Sequence, residues 1–163
     1  QPIINNQQSI IMAKEIENWE ENQLKSNFVK FNKVGDFIKG VFIDAYKPDK
    51  PDQYGKMERK LVVKGIEGKW HESDGSVVEV VEGEVYKVGE KEPIAKQMAE
   101  TVLGQKIMFK LVELRPTKKG NPAKIITVFS LKDAEGRPVL DQAWLKEQQM
   151  QAAANDEFAN MKA

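Results

Sequence analysis

The chain contains no cysteine and a single histidine, His71. Without cysteine, disulfides, thiolate metal sites and thiol nucleophiles are excluded. One histidine gives no basis for a histidine metal cluster or for a Ser-His-Asp system. We therefore expect no metal site, and the composition suits a reducing cytoplasm.

Glycine-rich phosphate loops are absent as well. Gly65, Gly68 and Gly75 follow no phosphate-loop spacing, and Gly-Lys-Ser/Thr does not occur. The carboxylates of Asp49 and Asp52 flank a proline in a loop, which gives poor support for general acid–base catalysis. We expect no enzyme, no catalytic residues and no cofactor.

Long apolar runs are also missing. No run approaches the roughly 20 apolar residues that a membrane-spanning helix needs, and no signal-peptide pattern opens the sequence. We expect a soluble cytoplasmic protein without a membrane partner.

Charge is balanced over the whole chain, with 25 Lys and Arg against 25 Asp and Glu, but not along it. Residues 114–132 hold five cations and no carboxylate. In this segment the β-rich runs 106–114 and 123–129 flank a connector, 115–122, with proline, lysine and glycine, which predicts a hairpin. A basic hairpin can bind an anionic chain such as nucleic acid. The alternative is a solvated turn that uses lysine for solubility.

Strand patterns also precede this hairpin. A β-rich run begins at Phe37, and Gly40 inside it predicts a bulge or bend. A second strand begins at residues 60–64 and resumes at 69–72 after two glycines, and Asp74-Gly75 predicts a hairpin turn. Residues 76–81 form the third strand, and 83–88 are either a further short β segment or the tail of that strand.

Three segments have helical patterns. Residues 92–103 place Ile94, Met98 and Val102 on one face, with Gly104 as the stop. Near the start, residues Met12, Ile16 and Trp19 recur at helical spacing between acidic residues. Near the end, Asp141 can cap a helix from about Gln142, and the residues after 148 are predicted as a frayed helix or a disordered tail.

Three strands, one short helix and two strands, with a bent first strand, form the order of the oligonucleotide/oligosaccharide-binding (OB) fold. We predict a mainly β, five-stranded OB-fold barrel (β-β-β-α-β-β) with helical N- and C-terminal extensions. Residues 1–27 would form the first extension, 28–132 the OB-fold domain and 133–163 a helical or disordered tail.

The runs VGDFIKGVFIDAY and GQKIMFKLVELRPTKKGNPAKIITVF together resemble small OB-fold single-stranded-DNA-binding proteins of the bacteriophage type. The resemblance covers about residues 33–129. It implies sequence-nonspecific binding of single-stranded DNA during phage DNA replication or recombination, with RNA as the alternative ligand and the host cytoplasm as the compartment. Further partners that it allows are a second copy of the chain or a replication protein, through the termini.

In an OB fold the ligand lies on strands two and three, between the loops that follow strands one and four. Cations there would contact phosphates, and aromatic rings would stack on bases. The predicted nucleic-acid-binding residues are Lys39, Tyr46, Lys47, Tyr54, Lys56, Arg59, Lys60, Lys64, Trp70, Arg115, Lys118, Lys119 and Lys124.

Some of these side chains have a structural alternative. Tyr46 can close the rim of a barrel, and Trp70 can fill the core. We expect the phenylalanines at positions 37, 42, 109 and 129 in the core. The alternative function is a non-enzymatic protein-interaction or virion-assembly module built on a small β-barrel.

Overall fold

The computed structural model describes residues 27–162, and for Lys162 the backbone only. This part of the chain contains six strands and two helices. In chain order they are β1 (Phe37–Tyr46), β2 (Lys60–His71), β3 (Val77–Glu79), β4 (Val85–Gly89), α1 (Glu92–Met98), β5 (Lys106–Arg115), β6 (Ala123–Ser130) and α2 (Gln142–Lys162). The strands form one antiparallel sheet in the order β3-β2-β1-β5-β6, and β4 pairs with β2. The predicted mainly β fold is confirmed, whereas the helix predicted around Met12, Ile16 and Trp19 lies outside the described residues.

The predicted count of five strands is wrong. Residues 83–88, for which a further segment and a tail of the third strand were both open, contribute a separate strand, β4. β3 pairs with one end of β2 and β4 with the other. β3 and β4 run in the same direction, both antiparallel to β2, and between them the chain makes a turn that contains Gly83, whose φ is 90°. The two glycines expected to interrupt β2 lie within one continuous strand. They are needed there because a Cβ at Gly65 would press on Val80 and Tyr86, and one at Gly68 on the carbonyl of Phe37.

The predicted irregularity of β1 at Gly40 is confirmed. The register shifts between Lys39 and Gly40, and again between Phe42 and Asp44. A Cβ at Gly40 would collide with the carbonyl oxygen of Lys64 and with a methyl group of Val63. Glycine therefore lets β2 approach β1 closely while β1 also pairs with β5. Within the described residues no ladder joins β6 to β4, so the sheet is open along that side.

The core lies on the inner face of this sheet. Ile107, Phe109 and Leu111 are at most 2% exposed, as the alternation in β5 predicts. Ile94 and Met98 of α1 pack against the same cluster, together with Trp70 and Tyr86. Burial of each such side chain contributes about 1.5–3 kcal/mol to folding. The remaining buried members are Val29, Phe31, Ile38, Phe42, Leu61, Val63 and Val88.

Helix α1 is shorter than predicted and lies against the edge strand β6. It ends at Met98, and Val102, expected on its buried face, is 44% exposed. The helix stops early because the chain must return to β1, where the N–H of Gly104 donates to the Phe42 carbonyl at 2.6 Å. The Gln97 amide donates to the carbonyl of Ile126 and accepts from the N–H of Val128, both at 2.8 Å. One side chain thus occupies backbone groups that β6 would offer to a further strand.

Helix α2 begins as predicted, since the carboxylate of Asp141 accepts the N–H of Trp144 at 3.0 Å. The indole of Trp144 lies against Gly104, where a Cβ would overlap it. Side chains of residues 146–161 are exposed. Of the two alternatives for the last residues, the helix is the one observed, through Lys162.

Candidate functional site

The strand register defines the outer face of the sheet, because residues paired across antiparallel strands point to the same side. Lys39 of β1 is opposite Met108 of β5, which in turn is opposite Phe129 of β6. The neighbouring row contains Lys69, Phe37, Lys110 and Thr127. The next row on the other side contains Lys64, Val41 and Lys106. We use the name lysine face for the surface formed by the following side chains of these rows: Phe37, Lys39, Lys64, Lys69, Lys106, Met108, Lys110 and Phe129.

Most ammonium groups of the lysine face have no carboxylate partner. Within residues 27–162, no carboxylate oxygen lies within 4.0 Å of the ammonium group of Lys39, Lys64, Lys69 or Lys110. Lys106 makes a long contact, 3.9 Å, with Asp141. Two carboxylates share the face in register, Glu67 opposite Lys39 and Glu79 opposite Lys69, so its positive charge is diluted but not cancelled.

Apolar side chains lie between these lysines. Phe129 is 45% exposed although it was expected in the core, and Phe37 is half-buried. The register explains the first outcome, because Val128, not Phe129, is opposite the buried Phe109. Adjacent apolar residues in a strand point to opposite faces, and the sequence alone does not show which one points inward. Phe42 and Phe109 are in the core as predicted.

The basic hairpin, residues 115–122, continues from β5 beyond the lysine face. Lys118 and Lys119 are exposed, and no carboxylate of the described chain pairs with them. Arg115 contacts Glu113 at 3.2 Å, with both side chains more than half exposed, which makes the pair weak. The hairpin turns at Gly120, whose φ is 90°. The predicted cations of this segment are thus available to solvent.

The loop after β1 lies at the other end of that strand. Tyr46 is opposite Lys60, whereas Phe37, at the start of β1, is opposite Lys110 and hence nearer the hairpin. Three predicted site residues belong to this loop and are exposed: Lys47, Tyr54 and Lys56. The Asp52 carboxylate orders it by accepting the N–H groups of Tyr54 and Lys56, and the Lys56 hydrogen bond is the main cause that lowers the pKa of Asp52. The structure does not place this loop beside the lysine face.

Three predicted residues have partners inside the fold. Arg59 forms a two-point pair with Glu90, and the hydrogen bond to that carboxylate raises the pKa of Arg59. Trp70 is 3% exposed and meets Tyr86 edge to face, with ring centroids 5.8 Å apart. Tyr46 is half-buried, with the ammonium group of Lys87 at 5.5 Å from its ring centroid. Of the rings predicted to stack, Trp70 has no free face in this structure.

The last two predicted residues line a separate cleft of about 670 Å³. Lys60 approaches it from β2 and Lys124 from β6, so two segments that are far apart in sequence meet there. Lys30 and Lys91 also line the cleft, and the sequence did not indicate either one. We name this site the basic cleft.

The sequence held a partial signal for the lysine face. Lys106 and Lys110 alternate with the core residues of β5, so their outward direction follows from strand periodicity. Outward lysines are equally typical of plain solvated strands, and only the register reveals that those of β1, β2 and β5 adjoin. The basic cleft had no such signal, because the segments that form it lie far apart in sequence and only the fold brings them together.

Comparisons with protein-family models, curated proteins and solved structures found no match to this chain. Among residues 27–162, no three His, Asp or Glu side chains lie together in an arrangement that could hold a metal ion. In the same residues no helix is long and apolar enough to cross a membrane. A function for this chain therefore has to follow from its own side chains.

Proposed function

We propose that the protein binds single-stranded nucleic acid, and single-stranded DNA in the first place, across the lysine face and the basic hairpin. One observation supports this most. On the lysine face, lysines whose ammonium groups form no ion pair with a described carboxylate alternate with the exposed or half-buried rings of Phe129 and Phe37. A single strand presents a phosphate and a base at each step. A surface that offers ammonium groups and apolar rings at strand spacing matches both features without reading sequence.

The free energies expected for single phosphate contacts and stacked bases favour salt-dependent binding in which each nucleotide contributes weakly. Each phosphate contact contributes about 0.7 to the slope of log K against log salt for single strands. Each stacked base contributes about 1–3 kcal/mol. With near-zero net charge on the whole chain, binding of this type belongs on one face. The long, bulged β1 in an open antiparallel sheet supports an OB-type barrel as the framework, and replication or recombination as the setting in which single strands occur.

The test is a titration of end-labelled oligo-dT of about 16 nucleotides, the upper site size of one OB fold, followed by anisotropy. Tryptophan quenching is less suitable, because Trp70 is in the core and Trp144 lies against Gly104. We expect binding at about 50 mM salt that weakens steeply by about 200 mM. Absence of binding at low salt would reject the proposal and leave the protein-interaction or virion-assembly module in its place.

A further inference from the structure

The basic cleft lies where the sheet fails to close. Its walls come from the segment 28–32, the start of β2, the start of α1 and the start of β6. The end of β4 also reaches it at Gly89. Residues 27–29 hydrogen-bond to Lys87 of β4, so the cleft lies between this segment and the start of β6. Its volume of about 670 Å³ is within the range of small-molecule sites, about 300–1,000 Å³.

The charges around this cleft are unbalanced. Among residues 27–162, four lysines line it (Lys30, Lys60, Lys91 and Lys124), against one carboxylate, Glu58. Lys60 contacts Glu58 at 3.2 Å, and Lys30 pairs with Glu72 at 2.6 Å. Within the described residues no carboxylate oxygen lies within 4.0 Å of the ammonium group of Lys91 or Lys124.

Lys124 has a polar partner on the other side of the cleft. Its ammonium group donates to the side-chain carbonyl of Asn32 at 3.2 Å. Partial desolvation and then the positive charge of Lys91 lower the pKa of this exposed side chain, and the negative charge of Asp36 acts in the opposite direction. Two like charges that face one gap without a counter-ion repel each other, and a bound anion would relieve that repulsion.

Apolar side chains form the rest of the cleft. Phe28, Phe31, Ile94 and Ile126 line it, and the ammonium groups of Lys60 and Lys87 lie 5.5 and 5.6 Å from the ring centroid of Phe28. The cleft thus combines a cationic side with an apolar side. A ligand that matches both carries a dianionic group next to a flat, weakly polar ring.

We infer that the basic cleft binds a nucleoside monophosphate, in which a sugar carries both a phosphate monoester and a flat base. Lys124 and Lys91 contact the phosphate, and the apolar side receives the base. The site is distinct from the lysine face, and binding of a free nucleotide there does not depend on the proposed single-strand function. Where the phosphate is the 5′ end of a strand, the inference does rest on that function.

The first experiment compares thymidine monophosphate, thymidine and inorganic phosphate by isothermal titration calorimetry with the full chain. We expect the monophosphate to bind at least about tenfold more tightly than either fragment, since charge-assisted hydrogen bonds and ring burial both contribute. Equal affinity for thymidine and its monophosphate would overturn the role of the lysines. Equal affinity for inorganic phosphate would overturn the role of the apolar side.

Variants then locate the site. Lys124→Met, which keeps the apolar part of the side chain, should weaken monophosphate binding about tenfold or more. Lys91→Met, made as a separate single variant, should have the same effect. The control Lys146→Met, at an exposed position of α2, should leave it within about twofold. Unchanged binding in both cleft variants, each with a wild-type thermal midpoint, would overturn the inference.

A last comparison separates the two sources of the phosphate. If the ligand is a strand end, 5′-phosphorylated oligo-dT binds more tightly than the 5′-hydroxyl form, and Lys124→Met abolishes the difference. If the ligand is a free nucleotide, the two oligonucleotides bind alike while the monophosphate still binds. If the wild-type protein binds the monophosphate but no oligonucleotide, only the single-strand proposal is rejected. If the wild-type protein binds oligonucleotides but not the monophosphate, only the inference about the basic cleft is rejected.

Discussion

The buried carboxylate of Asp36 lies 2.7 Å from the imidazole Nδ1 of His71 and ties the entry of β1 to the end of β2. Its other oxygen accepts the N–H groups of Asn32 and Lys33 at 2.9 Å, and of His71 at 3.1 Å. Burial raises the pKa of Asp36. The hydrogen bonds from Lys33, His71 and Asn32 together outweigh burial, so the pKa is below its ordinary value. Asp36 is therefore a structural anion.

We expect Asp36→Asn to lower the free energy of unfolding by about 1–3 kcal/mol near neutral pH, because backbone donors would face an amide NH₂. Since the folded pKa is depressed, the stabilisation is complete above the unfolded pKa of about 3.9 and is lost as the pH falls through the folded pKa. Urea unfolding of both proteins over this range measures the difference. A difference that stays constant into acid would contradict the assignment, and Asp49→Asn, on the exposed loop, is the control.

Gly40 should tolerate no larger side chain. We expect Gly40→Ala to destabilise the protein by about 1–3 kcal/mol, because its methyl group would meet the carbonyl of Lys64 where β1 and β2 pair closely at the register shift. Thermal unfolding measures the change. Lys39→Ala, next in the strand and exposed, is the matched control and should stay within about 0.5 kcal/mol. Equal thermal midpoints for the two variants would show that β1 and β2 can move apart at this position without loss of stability.

On the lysine face, Lys39→Ala combined with Lys110→Ala should weaken oligo-dT binding and reduce the salt slope by about 1.4, which is about 0.7 for each phosphate that is no longer neutralised. Both residues lack a carboxylate partner among the described residues, so their removal breaks no ion pair. The matched control is Lys96→Ala combined with Lys146→Ala, on the two helices. An equal loss of affinity in the control would indicate a general charge effect and not a located surface.

The basic hairpin gives a second electrostatic test. Lys118→Ala combined with Lys119→Ala should weaken binding to all single-stranded sequences alike, because phosphate contacts carry no sequence information. The salt slope should again fall by about 0.7 for each ammonium group that neutralises a phosphate in the wild-type complex. Anisotropy with dT, dA and mixed oligonucleotides checks both expectations. Loss of affinity for only one base composition would contradict a phosphate role.

Substitutions at Phe129 and Trp70 should distinguish an effect on base stacking from an effect on protein stability. Phe129→Ala should cost about 1–3 kcal/mol of binding with little change in salt slope, since the ring is 45% exposed. Trp70→Ala should instead cost about 3–5 kcal/mol of stability, as a core ring does. Denaturant unfolding and anisotropy on each variant distinguish the two. Full binding by Phe129→Ala would remove the base-stacking element from the proposal.

Local patterns predicted most of the strands, because each depends on neighbours in sequence: the alternation of Ile107, Phe109 and Leu111, the glycine at position 40 and the cap at Asp141. The split of β3 from β4 was not decided by the sequence. Either outcome satisfies the pattern of residues 76–88, and the choice depends on which half of β2 each part pairs with. The end of α1 at Met98 was missed for a similar reason, since the hydrogen bond between Gly104 and Phe42 joins residues far apart in sequence.

The nucleic-acid-binding residues could be predicted only in part, again because contacts between residues far apart in sequence decide the outcome. The exposed hairpin lysines follow from composition, but Trp70 and Arg59 have partners that lie at a distance in sequence, Tyr86 and Glu90. A side chain's availability for a ligand depends on such partners, and no local pattern reports them.

Gln97 has a consequence for how molecules of this protein meet one another. Edge strands with free backbone groups are templates on which a strand of another chain can assemble. On β6 the groups of Ile126 and Val128 that would start such assembly are already bound to the amide of Gln97. A second chain could extend the sheet at these two residues only by displacing that side chain. Resistance to polymerisation along this part of β6 therefore depends on this side chain and on the helix α1 that carries it.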